Sequence, residues 1–169
     1  MTGAGAGGSA RARRSRRLFV AVSVALAAVA LIVEPIARQA LSAGRTIDLG
    51  PLQLKLAYNT GVAFSLGNQL PTWVVLSITA GITAGIGAYA WRSAPINSLA
   101  AVVGLAAIFA GAAANVIDRA VDGKVTDYFH TGWWPTFNLA DTYLTCGVVL
   151  LIAALLLEST RESEKESSS

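Results

Sequence analysis

Histidine and cysteine each occur once in this chain, as His130 and Cys146. A lone cysteine closes no internal disulfide, and Cys146, set among Val and Leu in an apolar run, is expected to be inert packing. One histidine without a cysteine pair supplies no zinc constellation. Charge is scarce as well: 14% of residues are Asp, Glu, Lys or Arg, against 54% hydrophobic, and the mean hydropathy is +0.55. That balance excludes an ordinary soluble domain and places the 169 residues among integral membrane proteins. The net charge of +3 comes largely from Arg11, Arg13, Arg14, Arg16 and Arg17. Such a cluster beside an apolar run is a topology signal, and no nucleic-acid motif accompanies it.

What the chain does have is four apolar segments, at residues 18–41, 71–91, 96–117 and 139–157, each near the ~20 residues that cross a bilayer. The expected fold class is an all-α membrane protein with four transmembrane helices. Residues 18–158 form its one domain, between a polar N-terminus (1–17) and a Ser/Glu-rich tail (159–169), both expected to be disordered and cytoplasmic. The first segment also has the outline of a signal peptide, with Ser42, Ala43 and Gly44 after it. Its apolar run exceeds the usual ~7–15 residues, which favours a retained span. Glu34 and Arg38 lie four apart near its end, share a helix face and neutralise one another. Pro35 between them predicts a bend or an interruption.

Residues 46–56 alternate as Leu-Gln-Leu-Lys-Leu after Asp, Gly and Pro, which predicts a small extracytoplasmic β-containing segment between helices 1 and 2. Asn59, Gly61 and Gly67 follow among apolar residues, an amide and two points of backbone freedom. The third apolar segment is rich in Gly and Ala, which lets helices approach closely in lipid. Four spans bring both termini to one side. The five N-terminal arginines, Arg92, Arg161 and Lys165 make that side cytoplasmic, and residues 42–70 and 119–138 then lie outside.

Within this frame Asp118 leaves the third segment and Asp141 enters the fourth. A carboxylate at the edge of hydrocarbon costs kilocalories and marks a functional position. Antiparallel helices packed through Ala and Gly bring the two together, and adjacent carboxyls do not both ionise easily, so one keeps a proton. That is the equipment of aspartyl proteolysis, in which one carboxyl takes a proton from water and the other polarises the scissile carbonyl. The competing reading is that each Asp merely terminates its helix, and Asp141 with Asn138 before it suits a cap. A more distant one is a small transporter or channel with the Asp pair on an ion path.

The residues Asn59-Thr60-Gly61-Val62-Ala63-Phe64-Ser65 resemble the Asn-x-Gly-x-Ala-Phe-Ser element of the lipoprotein signal peptidases (signal peptidase II), aspartyl proteases of bacterial membranes. Asn115-Val116-Ile117-Asp118-Arg119, with Gly123-Lys124-Val125-Thr126-Asp127-Tyr128, resembles their Asn-x-x-Asp-Arg and Gly-x-Val-x-Asp-Phe elements. Phe137-Asn138-Leu139-Ala140-Asp141 resembles Phe-Asn-x-Ala-Asp. The resemblance covers all four spans with the motifs in order. It implies that Asp118 and Asp141 are the catalytic dyad, and that Asn59, Gly61, Asn115, Arg119, Asn138, Ala140, Glu34 and Arg38 line or support the site. Asp127 is expected to structure its loop. Tyr128, Phe129, Trp133 and Trp134 are expected at the interface, as anchors or as a cover.

The implied activity is an endopeptidase that removes the signal peptide from diacylglyceryl-modified prolipoproteins by cleaving before the lipidated Cys. It implies no metal and no organic cofactor, a monomer in contact with membrane lipids, and a site near the external face of a bacterial inner membrane. Two departures stand out. The family usually shows Asp-x-x-x-Lys where this chain has Glu34 and Arg38, and often Gly where it has Ala114. They motivate an alternative, a non-catalytic paralogue that binds lipidated peptides or membrane proteins.

Overall fold

The computed structural model describes residues 4–60 and 70–167. In chain order these form α1 (Ala4–Ala40), a 3-10 turn (Ser42–Gly44), β1 (Ile47–Asp48), β2 (Gln53–Asn59), α2 (Thr72–Ser93), α3 (Leu99–Asp122), β3 (Val125–His130) and α4 (Leu139–Ser167). Four of the helices are long and apolar enough to cross a membrane, over Gly8–Ala40, Thr72–Ser93, Leu99–Asp122 and Leu139–Arg161. Gly61 and the motif residues through Gly67 lie outside the described residues.

α3 is the axis of the bundle. Half of its apolar window is buried, against 17% for each of the others, and it packs on α1, α2 and α4. Lipid tails are as apolar as Leu, so burial of carbon alone does not drive helices together here; close backbone approach does. Gly104 and Gly147 face each other across α3 and α4. A Cβ on Gly104 would stand 2.9 Å from the carbonyl of Gly147, and one on Gly147 would stand 2.7 Å from the carbonyl of Gly104. One apolar cluster joins Phe19, Ala90, Val102, Leu105 and Ala106. A second, nearer the loops that follow α1 and α3, joins Ala30, Ala114 and Ala140.

The strands form one antiparallel sheet in the order β1-β2-β3. β2 pairs with β3 from Gln53 opposite His130 to Asn59 opposite Val125, with an irregularity between Leu54 and Ala57. β3 belongs to the α3–α4 connection, so the sheet takes strands from two loops and not from one. Its sequence, Val-Thr-Asp-Tyr-Phe-His, carries the β-branched and aromatic residues that signal a strand. The aspartate within it, and the weight of the flanking motifs, masked that signal.

Other expectations meet corrections. α1 is one helix through Pro35; the ring removes a single backbone donor, and packing on α3 holds the rest. α1 begins at Ala4 and α4 runs to Ser167, so helix continues through polar stretches for which the sequence predicts none. Ala, Arg, Glu and Lys are good helix formers and extend a helix already nucleated. Cys146 is exposed rather than packed, because its neighbour Gly147 takes the close contact with α3 and turns the thiol outward. Trp73, Tyr89 and Trp91 are exposed at the two ends of α2, as an interfacial belt requires.

Candidate active site

Two helix ends make the site. α3 stops because Gly123 adopts φ +72° and returns its N–H to the carbonyl of Arg119 at 2.8 Å. This left-handed conformation suits glycine, and the chain reverses into β3. The last turn of α3 thereby presents Asp118, Arg119 and Asp122, one turn after Asn115.

α4 starts with a reciprocal cap. The Asn138 Oδ1 accepts from the Asp141 N–H at 3.0 Å, and the Asp141 Oδ2 accepts from the Asn138 N–H at 3.1 Å. Two orphan donors of the first turn are satisfied at once. Leu139, one residue on, donates its N–H to the hydroxyl oxygen of Tyr128 at 3.1 Å.

The cap is only part of what Asp141 does. Its Oδ1 accepts from the Asn115 Nδ2 at 2.8 Å, and the Asn138 Nδ2 donates to the Asn115 Oδ1 and to the Asp127 Oδ1, each at 3.0 Å. The run Asp141–Asn115–Asn138–Asp127 therefore ties α3, β3 and α4 together through neutral amides, which pair with carboxyls without adding charge. Asp127 is 5% exposed. Burial, then the nearby Asp141 charge, push its carboxyl up to about 7, against the pull of the Asn138 hydrogen bond. Burial likewise pushes the Tyr128 phenol up to about 12.

Asp118 sits in a second polar cluster. Its Oδ2 accepts from the Thr126 N–H at 2.7 Å, and its Oδ1 lies 3.5 Å from the Arg38 Nη2. Arg38 spreads its fork over Glu34 (Nε to Oε1, 2.7 Å), Asp122 and the Thr126 Oγ1 (2.8 Å). The expected Glu34–Arg38 pair is present, and it is also the link from α1 to the end of α3 and to β3. Arg119 is buried and lies in the fields of Asp118, Asp127 and Asp141, a shared counter-charge for three carboxyls.

Among the described residues no hydrogen bond joins Asp118 to Asp141. They are connected through Asn115, which bonds Asp141 and stands three residues before Asp118 on the same helix face. Asp118 lines a small, partly open cavity of about 20 Å³ with Asn115, Thr126, Tyr128 and Asn138, a volume that accepts about one water molecule. Asp141 lines a larger, mostly apolar cavity of about 400 Å³ with Trp133, Trp134, Phe137 and Cys146.

Of the remaining sequence-predicted residues, Ala140 and Glu34 also line the Asp118 cavity, and Ala140 is buried in a cluster with Ala30 and Ala114. Asn59 ends β2 opposite Val125, two positions from Asp127. The aromatic loop divides: Tyr128 is buried in the site, whereas Trp133 and Trp134 are exposed. Thr126, Asp122 and the Tyr128 hydroxyl are the participants that sequence reasoning missed. Asp122 carried a usable signal, four residues after Asp118 on one helix face; Thr126 carried none.

Comparison with known proteins agrees with this architecture. A family model described as signal peptidase (SPase) II matches residues 18–157. The chain is 38% identical over 122 residues to the lipoprotein signal peptidase of Syntrophomonas wolfei, covering 70% of this chain and 77% of that protein. It is 43% identical over 110 residues to the lipoprotein signal peptidase of Francisella tularensis subsp. novicida, covering 61% and 68%. A solved bacterial membrane enzyme, determined by the in meso method at 2.3 Å resolution, superposes with a TM-score of 0.68 at 27% identity, over 85% of this chain and 92% of that one.

Proposed function

Since this chain belongs to the signal peptidase II family, and so is a multi-pass membrane protease that removes signal peptides from prolipoproteins, we propose that Asp118 and Asp141 are its catalytic pair. One observation carries the assignment. Two carboxyls stand at the facing ends of adjacent spans, each held by neutral or cationic donors, with Asn115 reaching from the helix of one to the carboxyl of the other.

The chemistry follows from that arrangement. One carboxyl, ionised, takes a proton from a water held between the pair; the other, protonated, donates to the oxygen of the scissile carbonyl. The tetrahedral centre collapses as a proton reaches the leaving nitrogen. Asn115 and Asn138 hold the carboxyls in position and leave the total charge unchanged. Arg119 holds down the excess negative charge of three neighbouring carboxyls.

The substrate in this reading is a prolipoprotein whose Cys already bears diacylglycerol, cut on the N-terminal side of that Cys. The apolar cavity beside Asp141 takes an apolar portion of the substrate, and the bilayer holds the scissile bond at the depth of the helix ends. The site faces the outside of a bacterial inner membrane, both termini are cytoplasmic, and the protein acts as a monomer. The non-catalytic alternative is not favoured: Glu34 and Arg38 form a hydrogen-bonded pair, and Ala114 fits against Ala30 and Ala140.

The test is a gel-shift assay with purified protein and a diacylglyceryl-modified prolipoprotein. The parent cleaves, and Asp118→Asn and Asp141→Asn each lose about three orders of magnitude or more, in keeping with removal of an acid–base group. Retention of near-parental turnover by either folded variant would remove that residue from the pair.

A further inference from the structure

At the end of the bundle away from the carboxyls, α1 and α2 flank an open groove of about 430 Å³ lined by Arg13, Arg16, Arg17, Val20, Ala21 and Trp91. The spacing on α1 sets three levels on one helix face: Arg13, then Arg16 and Arg17, then Val20 and Ala21, each about one turn further along. The upper levels are cationic, and the lowest lies inside the apolar run that begins at Leu18. Trp91 closes the opposite wall from α2. Arg16 donates its Nε to the Trp91 carbonyl at 3.2 Å and holds its guanidinium 5.0 Å from the centre of the indole ring. Among the described residues no hydrogen bond or ion pair engages the terminal amino groups of Arg16.

No carboxylate lines this groove among the described residues, and none of its three arginines forms an ion pair there. This contrasts with Arg38, whose guanidinium is shared among Glu34, Asp118 and Asp122. A groove with three guanidinium groups, no internal counter-ion and an apolar floor is complementary to an anion that continues into a hydrocarbon chain. Guanidinium forks match phosphate oxygens in two-bond geometry.

We propose that this groove binds the phosphodiester headgroup of an anionic phospholipid of the adjoining leaflet. The phosphate lies among Arg13, Arg16 and Arg17, and an acyl chain runs past Val20 and Ala21. The bound lipid joins α1 to α2 at the end of the bundle opposite the sheet. A free inorganic phosphate uses the same forks and has no use for the apolar floor, which is why the lipid is the assigned occupant.

Native mass spectrometry of the full chain, released from detergent with phosphatidylglycerol or phosphatidylcholine of identical acyl chains, tests the assignment. The parent is expected to retain phosphatidylglycerol in preference by about 10- to 30-fold, the effect of roughly two fully engaged basic side chains. Arg13→Gln/Arg17→Gln loses this preference. Arg11→Gln/Arg14→Gln removes the same charge from positions outside the groove and keeps it. Both doubles alter exposed side chains, and an unchanged melting temperature verifies that each is folded. Equal loss in the two doubles would reduce the effect to diffuse attraction and overturn the site. So would equal retention of the two lipids by the parent, or displacement of phosphatidylglycerol by an equimolar concentration of inorganic phosphate.

Discussion

Asn138 does three jobs with one side chain. Its carbonyl oxygen caps α4, and its amide nitrogen serves both Asn115 and Asp127. Asn138→Ala removes the cap and leaves two acceptors, one buried and one partly buried, short of a donor, so it should cost about 2–4 kcal/mol. Asn138→Ser restores a capping oxygen and should recover about 1 kcal/mol of that. Thermal unfolding in detergent reads both, and equal losses in the two variants would contradict the division of labour. Asp127 adds a pH dependence. Folded, it holds its proton up to about pH 7, whereas an unfolded Asp releases it near ~3.9. Between those values the folded chain binds the extra proton, so stability falls as pH rises from about 4 to about 7 and levels off above. Asp127→Asn keeps the acceptor for Asn138 and never ionises. It should abolish that slope and be more stable than the parent at pH 8 by up to a few kcal/mol, as measured by chemical denaturation at pH 5 and pH 8.

The helices were legible in the sequence because the requirement for about 20 apolar residues is strict and leaves long runs. The close approach of α3 and α4 was legible from Gly and Ala in the third segment. Its consequence can be tested: Gly147→Val places side-chain carbon where the Gly104 carbonyl lies, and should destabilise by about 1–3 kcal/mol. It should also lower cleavage, because separating the helices draws Asn115 away from Asp141. Full activity with unchanged stability would mean that the contact at Gly104 is slack. The sheet was half legible. β2 announced itself by alternation, but β3 is buried over its first four residues, so no alternation marks it. The Arg38 cluster was out of reach for another reason: the i,i+4 pair with Glu34 is local, whereas Asp118, Asp122 and Thr126 arrive from 80 to 88 residues away. Periodicity speaks of neighbours along a helix and is silent about which distant end folds beside it.

For the whole molecule, the proposed orientation rests on charge. The arginines at residues 11–17 and Arg92 gather at one end of the bundle, and the sheet and carboxyls lie at the other. With Cys146→Ser as background, Thr136→Cys should react with a membrane-impermeant maleimide on intact cells, and Ser9→Cys only after permeabilisation; the reverse pattern would invert the topology. The sheet has a temporal consequence too. β2 finds its partner only after α2 and α3 have both been made, and Asn138 and Asp141 emerge later still. A nascent chain inserted from its N-terminus therefore carries Glu34, Arg38 and Asp118 in the membrane before its second carboxyl exists. On the proposed pairing of Asp118 with Asp141, cleavage competence arrives with the first turn of the last helix: chains truncated before α4 should be inert, and an unfinished enzyme should not cut the precursors that share its insertion route.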